Sequence, residues 1–238
     1  MKKALAAVIA ATALGIVPAT ALAVETPNPH RFVGSPNAEP KFSGEGEEWV
    51  VKPFTVSCEK AKSTPSGVTP TFPSKTLTAV LKFSHCEAEA LIGRAEYELK
   101  AKFLAPVTIN YHANGYVEMG SGGTVKEGVL ENAGPIEILV KGPFKCLISI
   151  SPGTYPIGAT KKPEAEWEDV KYTNQEETVE KGKKTELVKR LGISNAVSKM
   201  PYEIEEEFCE ALPKTEFTNG QYNGPLVAEI KKGSIGWE

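Results

Sequence analysis

The chain has 238 residues, with 27 Lys plus Arg against 30 Asp plus Glu and a formal charge of −3. Its 21 Gly and 18 Pro are about 16% of the chain against about 12% in average usage, which suits a turn-rich β protein and argues against a helical bundle. Basic residues are scattered rather than gathered on one face, so nucleic acid is not expected as a partner. Asp169 is the only aspartate, which excludes calcium loops of the D-x-[DN]-x-[DN]-G type.

In chain order, Lys2 and Lys3 precede an apolar run over residues 4–17 and then Ala21-Leu22-Ala23. A basic start, a short apolar core and an A-x-A end have the form of a secretory signal peptide over residues 1–23. No later stretch reaches the 18 or so apolar residues that span a membrane, so no transmembrane segment is expected in the mature chain. Loss of Lys2 and Lys3 makes the mature chain more acidic. Residues 24–48 are rich in Pro, Asn, Gly and Glu and read as a flexible arm, with order expected from Trp49 onward.

From there apolar and polar residues alternate with period two, the mark of antiparallel strands with one face on a core. Phe54, Val56 and Cys58 share one side, as do Leu77, Ala79, Leu81 and Phe83. So do Tyr97, Leu99, Ala101 and Phe103, and again Phe144, Cys146, Ile148 and Ile150. Shorter strands are expected over 106–111 and 135–140, each with proline at its first position, where the missing N–H costs no ladder bond. Thr64-Pro65-Ser66-Gly67, Asn114-Gly115, Pro152-Gly153 and Asn219-Gly220 supply turn chemistry between runs. A Lys-, Pro- and Glu-rich stretch over 159–168 reads as a link between two lobes. Beyond it, 176–190 is ambiguous: Val179, Leu187 and Leu191 would share a helical face, but Gly182 interrupts it. Leu226, Ala228 and Ile230 form a last strand. The expected fold is all-β, mostly antiparallel and sandwich-like, with a β lobe over 49–158 and a smaller one over 159–238.

Four cysteines in an exported chain predict two disulfides. Three pairings are open to Cys58, Cys86, Cys146 and Cys209. Cys58–Cys86 with Cys146–Cys209 closes each half of the chain locally, and each loop would contribute on the order of 3–4 kcal/mol. No two cysteines have C-x₂₋₄-C spacing, so no zinc site is expected.

Candidate chemistry is thin. Glu203, Glu205, Glu206, Glu207 and Glu210 crowd one segment and Glu45, Glu47 and Glu48 another. A glycosidase uses two carboxylates about a cleft, but alternation in Tyr202-Glu203-Ile204-Glu205 places these acids on a solvated face. No G-x-S-x-G elbow is present; His112 falls at a hairpin tip and His30 in the arm. Gly120-Ser121-Gly122-Gly123-Thr124-Val125-Lys126 lacks the ending of a phosphate loop. Leu212-Pro213-Lys214-Thr215-Glu216 departs from the sortase signal L-P-x-T-G at its fifth residue. Trp49, Trp167 and Trp237 stand beside charged residues or glycine, consistent with partial exposure, and strand-end packing is their expected use.

Phe54-Thr55-Val56-Ser57-Cys58 with Gly67, Leu81-Lys82-Phe83-Ser84-His85-Cys86, Cys146-Leu147-Ile148-Ser149-Ile150 and Asn219-Gly220-Gln221-Tyr222-Asn223-Gly224 together resemble a group of uncharacterised exported actinobacterial proteins. The likeness covers most of the mature chain through short motifs. It departs at Ala95, where that group would carry a further cysteine. The resemblance implies export and a β-rich fold, and no activity. The expectation is a secreted, non-enzymatic structural or binding protein of the cell surface or extracellular space, without a cofactor, catalytic set or metal. Its partner would be a cell-wall or extracellular glycan or protein. The competing expectation is a glutamate-dependent, glycan-active extracellular hydrolase.

Overall fold

The computed structural model describes residues 30–67, 69–157, 172–181, 184–205, 209 and 216–238. The signal peptide, Trp167 and the expected 159–168 link lie outside them. Every named element is a strand and every pairing between strands is antiparallel: β1 (Phe32–Gly34), β2 (Lys41–Val51), β3 (Phe54–Thr64), β4 (Thr76–Ile92), β5 (Ala95–Phe103), β6 (Val107–His112), β7 (Tyr116–Ser121), β8 (Thr124–Lys126), β9 (Val129–Glu131), β10 (Ile136–Lys141), β11 (Lys145–Ile150), β12 (Gly153–Pro156), β13 (Tyr172–Lys181), β14 (Lys184–Ser194), β15 (Val197–Glu205), β16 (Glu216–Asn223), β17 (Pro225–Glu229) and β18 (Ile235–Trp237).

The all-β, antiparallel class is as expected, but the main sheet is a closed barrel with further strands and not clearly a sandwich of two lobes. Eight strands close on themselves in the order β2-β3-β4-β5-β10-β11-β15-β16 and back to β2. Strands from beyond residue 168 are therefore sewn into the same barrel as β2–β5. Closure leaves no free edge among these eight, which is how antiparallel sheets avoid exposing unpaired backbone. The other ends of the long strands carry a second set: β17, β14 and β13 extend from β2, and β6, β7 and β12 extend from β4. The molecule thus has two halves that share β2, β3 and β4.

Each shared strand changes its inward parity once. On β2 the buried positions are Phe42, then Glu47, Trp49 and Val51; on β3 they are Phe54, Val56 and Cys58, then Ala61; on β4 they run from Leu77 to Phe83 by twos, then Ala88 and Ala90. The registers place Gly46 opposite Glu59 and Glu59 opposite His85, so all three switches fall in one row. Gly46 and His85 in that row have φ of 70° and 53°. Left-handed backbone turns a strand in the manner of a bulge and re-aims the side chains beyond it. The ladders of β2 with β3 and of β3 with β4 keep the same offset on either side of the row, although the row's own residues are not paired.

The residues expected as a flexible arm are ordered from 30 onward. Phe32 is wholly buried, β1 pairs with β18, and β2 begins at Lys41. Those pairings are long-range, so local composition carries no trace of them. The ambiguous 176–190 stretch is the β13–β14 hairpin, because ladder pairing with β17 overrides its weak helical pattern. Asn219-Gly220 is no turn: it lies inside β16, where a Cβ on Gly220 would come 2.9 Å from the Met200 carbonyl oxygen. Both disulfides follow the local pairing. Cys58–Cys86 bridges opposed residues of β3 and β4, and Cys146–Cys209 ties β11 to the segment between β15 and β16.

A Cβ on Gly46 would meet nothing within 4 Å, so Gly46→Ala tests backbone conformation alone. It should cost about 1–2 kcal/mol in urea unfolding, whereas His85→Gly should be neutral or stabilising. Loss of Cys58–Cys86, which closes a 28-residue separation, should cost about 3.5 kcal/mol on the chain-entropy account. That value is read from the unfolding midpoint of the Cys58→Ala, Cys86→Ala double variant, which leaves Cys146–Cys209 in place.

Candidate functional site

Past Gly46 the parity switch points Glu47 into the molecule, on the same side as Trp49 and Val51. Glu47 is wholly buried, unlike its neighbours Glu45 and Glu48. This corrects the solvated-face expectation for that glutamate. Tyr222 of β16 donates its hydroxyl to Glu47 Oε2 at 2.7 Å, while Oε1 has no hydrogen-bond partner. The Tyr222 ring stacks on Trp49, with centroids 4.1 Å apart. Trp49, expected to be partly exposed, is therefore a core residue, with Phe83 and Phe103 against its other sides.

Further polar groups approach from the second half. Tyr111 of β6 and Asn195, between β14 and β15, are both buried. The Asn195 amide tempers the rise in the Tyr111 pKa, yet neither is in full hydrogen-bond geometry. Gly44 and Gly224 have no room for a side chain, since a Cβ at either would overlap the Glu47 carboxylate. Burial removes water from the carboxylate and pushes its pKa up from 4.5 to about 7, an effect the Tyr222 hydrogen bond opposes in part. Burial likewise drives Tyr222 and Tyr111 well above the usual tyrosine range, with the nearby Glu47 charge adding to it.

The remaining candidates do not converge here. Glu203 and Glu205 are exposed on β15 with Tyr202 and Ile204 buried between them, as alternation required; Glu206, Glu207 and Glu210 lie outside the described residues. His112 ends β6 beside the hairpin turn, its Nε2 3.2 Å from Glu118 Oε2. That carboxylate oxygen accepts hydrogen bonds from Asn110 Nδ2 at 2.7 Å and from the Leu130 N–H at 2.8 Å. It clamps the β8–β9 hairpin onto the sheet, which is a structural duty. His30 stacks on Trp237 at 4.7 Å, and the Trp237 indole donates to the Ala113 carbonyl oxygen. With Tyr172 near its ring as well, Trp237 is held as packing and offers no open platform. Gly120 packs against Ala133 and the loop after it joins β7 to β8. Leu212–Thr215 lie outside the described residues.

Sequence reading named Glu47 as a candidate carboxylate but placed it on a solvated face, and it singled out none of Tyr111, Asn195 and Tyr222 for this site. One signal was available: Glu47 shares the parity of Trp49 and Val51. Geometrically, Glu47 is a wholly buried carboxylate with a neutral hydrogen-bond donor, packed against the backbone of Gly44 and Gly224, whereas glycoside hydrolysis needs a pair of carboxylates about a cleft.

The sign of the shift sets the pH dependence. An unfolded glutamate ionises near 4.5 and this one near 7, so the folded state binds the extra proton between those values. Stability from this group is full below about pH 4.5 and is lost as pH rises through 7, by on the order of 3 kcal/mol. Glu47→Gln keeps the shape and an acceptor for Tyr222. It should be the more stable protein at pH 8, and its urea midpoint should vary less between pH 4.5 and 7; superimposable profiles would refute this. In comparisons with known proteins, no family model matches the chain, and neither does a curated protein or a solved structure.

Proposed function

We propose that this is an exported protein of the cell surface or extracellular space that acts by binding rather than by turnover. The observation that carries the reading is the enclosure of Glu47: the carboxylate tuned towards neutral pH lies beneath the backbone of Gly44 and Gly224, where a substrate does not reach. Catalysis by a general acid needs contact with the reacting group, and a carboxylate with no exposed surface makes none in the folded state. Two disulfides support an oxidising setting outside the cytosol.

Binding then falls to the outer surface. A polar groove of about 430 Å³ runs between β1–β18 and β13–β14, with Asn174, Gln175, Lys189 and Trp237 among its walls. Asn174 is pre-set there by paired bonds to the Trp237 backbone, donating to its carbonyl at 2.8 Å and accepting from its N–H at 2.7 Å. Amides and a charged amine on a rigid frame suit a hydroxyl-rich extracellular glycan or an extended peptide.

Fractionation of the producing cells tests the proposal. Retention on the envelope, with elution by salt or by soluble wall glycans, is the expected outcome. Protein free in the medium that turns over a glycan, ester or peptide, and stops doing so after one Glu→Gln change, would replace it with a hydrolase.

A further inference from the structure

We propose that Glu47 is a proton-operated latch that governs local opening of the crossing between β16 and β17. The ladder on that side of β2 is interrupted where the chain changes halves. Pairing with β16 stops at Glu48 opposite Asn223, and pairing with β17 starts at Gly44 opposite Leu226. Glu45, Gly46 and Glu47 therefore have no strand partner there, and Gly224 spans the gap. The Asn195 N–H holds the Gly224 carbonyl at 3.1 Å.

The covering over the carboxylate is thin. Gly44, Gly46 and Gly224 carry no side chains, and Gly46 is exposed. Beneath them one carboxylate oxygen has Tyr222 and the other has no partner. A protonated carboxyl sits in that place at modest cost. An ionised one needs water, and the broken ladder is where water enters with the fewest backbone bonds lost.

The groups facing Glu47 leave the proton in control. β16 supplies Tyr222 and β6 supplies Tyr111, with Tyr172 of β13 behind Tyr111. Asn195 is neutral, β17 contributes Pro225 and Leu226, and the residue opposite on β3 is the disulfide-bonded Cys58. On β2 itself Glu45 is exposed and Glu48 faces away from the interior. No lysine, arginine or histidine contributes to the shift of this carboxyl.

Amide exchange of the purified protein, read as protection relative to the intrinsic rate at each pH, tests the latch. Protection over residues 220–228 should fall roughly tenfold per pH unit between about pH 5 and 7 and then level off, because the open state ionises as an ordinary glutamate. Protection over 136–150, on the far side of the barrel, should stay constant. Glu47→Gln should abolish the fall. Tyr222→Phe removes the hydroxyl that stabilises the charge while keeping the ring on Trp49, and should carry the fall to higher pH. If Glu47→Gln does not fold, the Tyr222→Phe displacement decides the matter. Equal loss in both segments, no loss in the wild type, or a fall that persists in Glu47→Gln would overturn the proposal.

Discussion

The whole architecture depends on three strands being shared by two halves. β2, β3 and β4 are 11, 11 and 17 residues long, long for strands that usually run five or six. Each of these strands serves both halves, burying one face at one end and the other face at the other. The row Gly46–Glu59–His85 brings this about by reversing inward parity on all three strands at once. One end of each strand then closes an eight-stranded barrel, and the other seeds a second curved sheet. The Cys58–Cys86 bridge lies immediately beside the row, where β3 and β4 are re-aimed.

The same constraint places a carboxylate in the core. Once parity reverses at Gly46, the next residue must face inward, and that residue is Glu47. Around it stand Tyr222, Tyr111 and Asn195, drawn from strands or turns of both halves. A buried polar cluster of this sort is costly when incompletely paired. Its side-chain bond from Tyr222 to Glu47 joins β16 to β2 within the barrel. Among the described residues, the carboxylic acid whose pKa is pushed up thus sits at a structural joint and not on the outer surface.

At the outer end, β1 and β18 close over the second half. Phe32 fills the core beside Tyr172, the Tyr172 hydroxyl donates to the His112 carbonyl at 2.7 Å, and Trp237 reaches the Ala113 carbonyl. Aromatic side chains with one polar handle thus replace ladder bonds where strands do not pair. Arg190 bridges Glu177 and Glu229 across β13, β14 and β17. Being partly exposed, this ion network fixes geometry more than it stabilises.

The sequence by itself determined the class and much of the local structure. Alternation through Leu77–Phe83, Tyr97–Phe103 and Cys146–Ile150 has one physical reading, a strand with one face buried, and the cysteine spacing favoured the pairing that forms. The tertiary structure alone decided the closed barrel, the ordering of residues 30–48 and the burial of Glu47 and Trp49. Each of these depends on partners far away in the chain: β18 for Phe32, β16 for Trp49, the turn before β15 for the covering at Gly224. Periodicity records which residues share a face, but a single left-handed residue such as Gly46 exchanges the faces without altering composition. Which face is inside is therefore a property of the closed sheet, where long-range pairing and packing set the outcome.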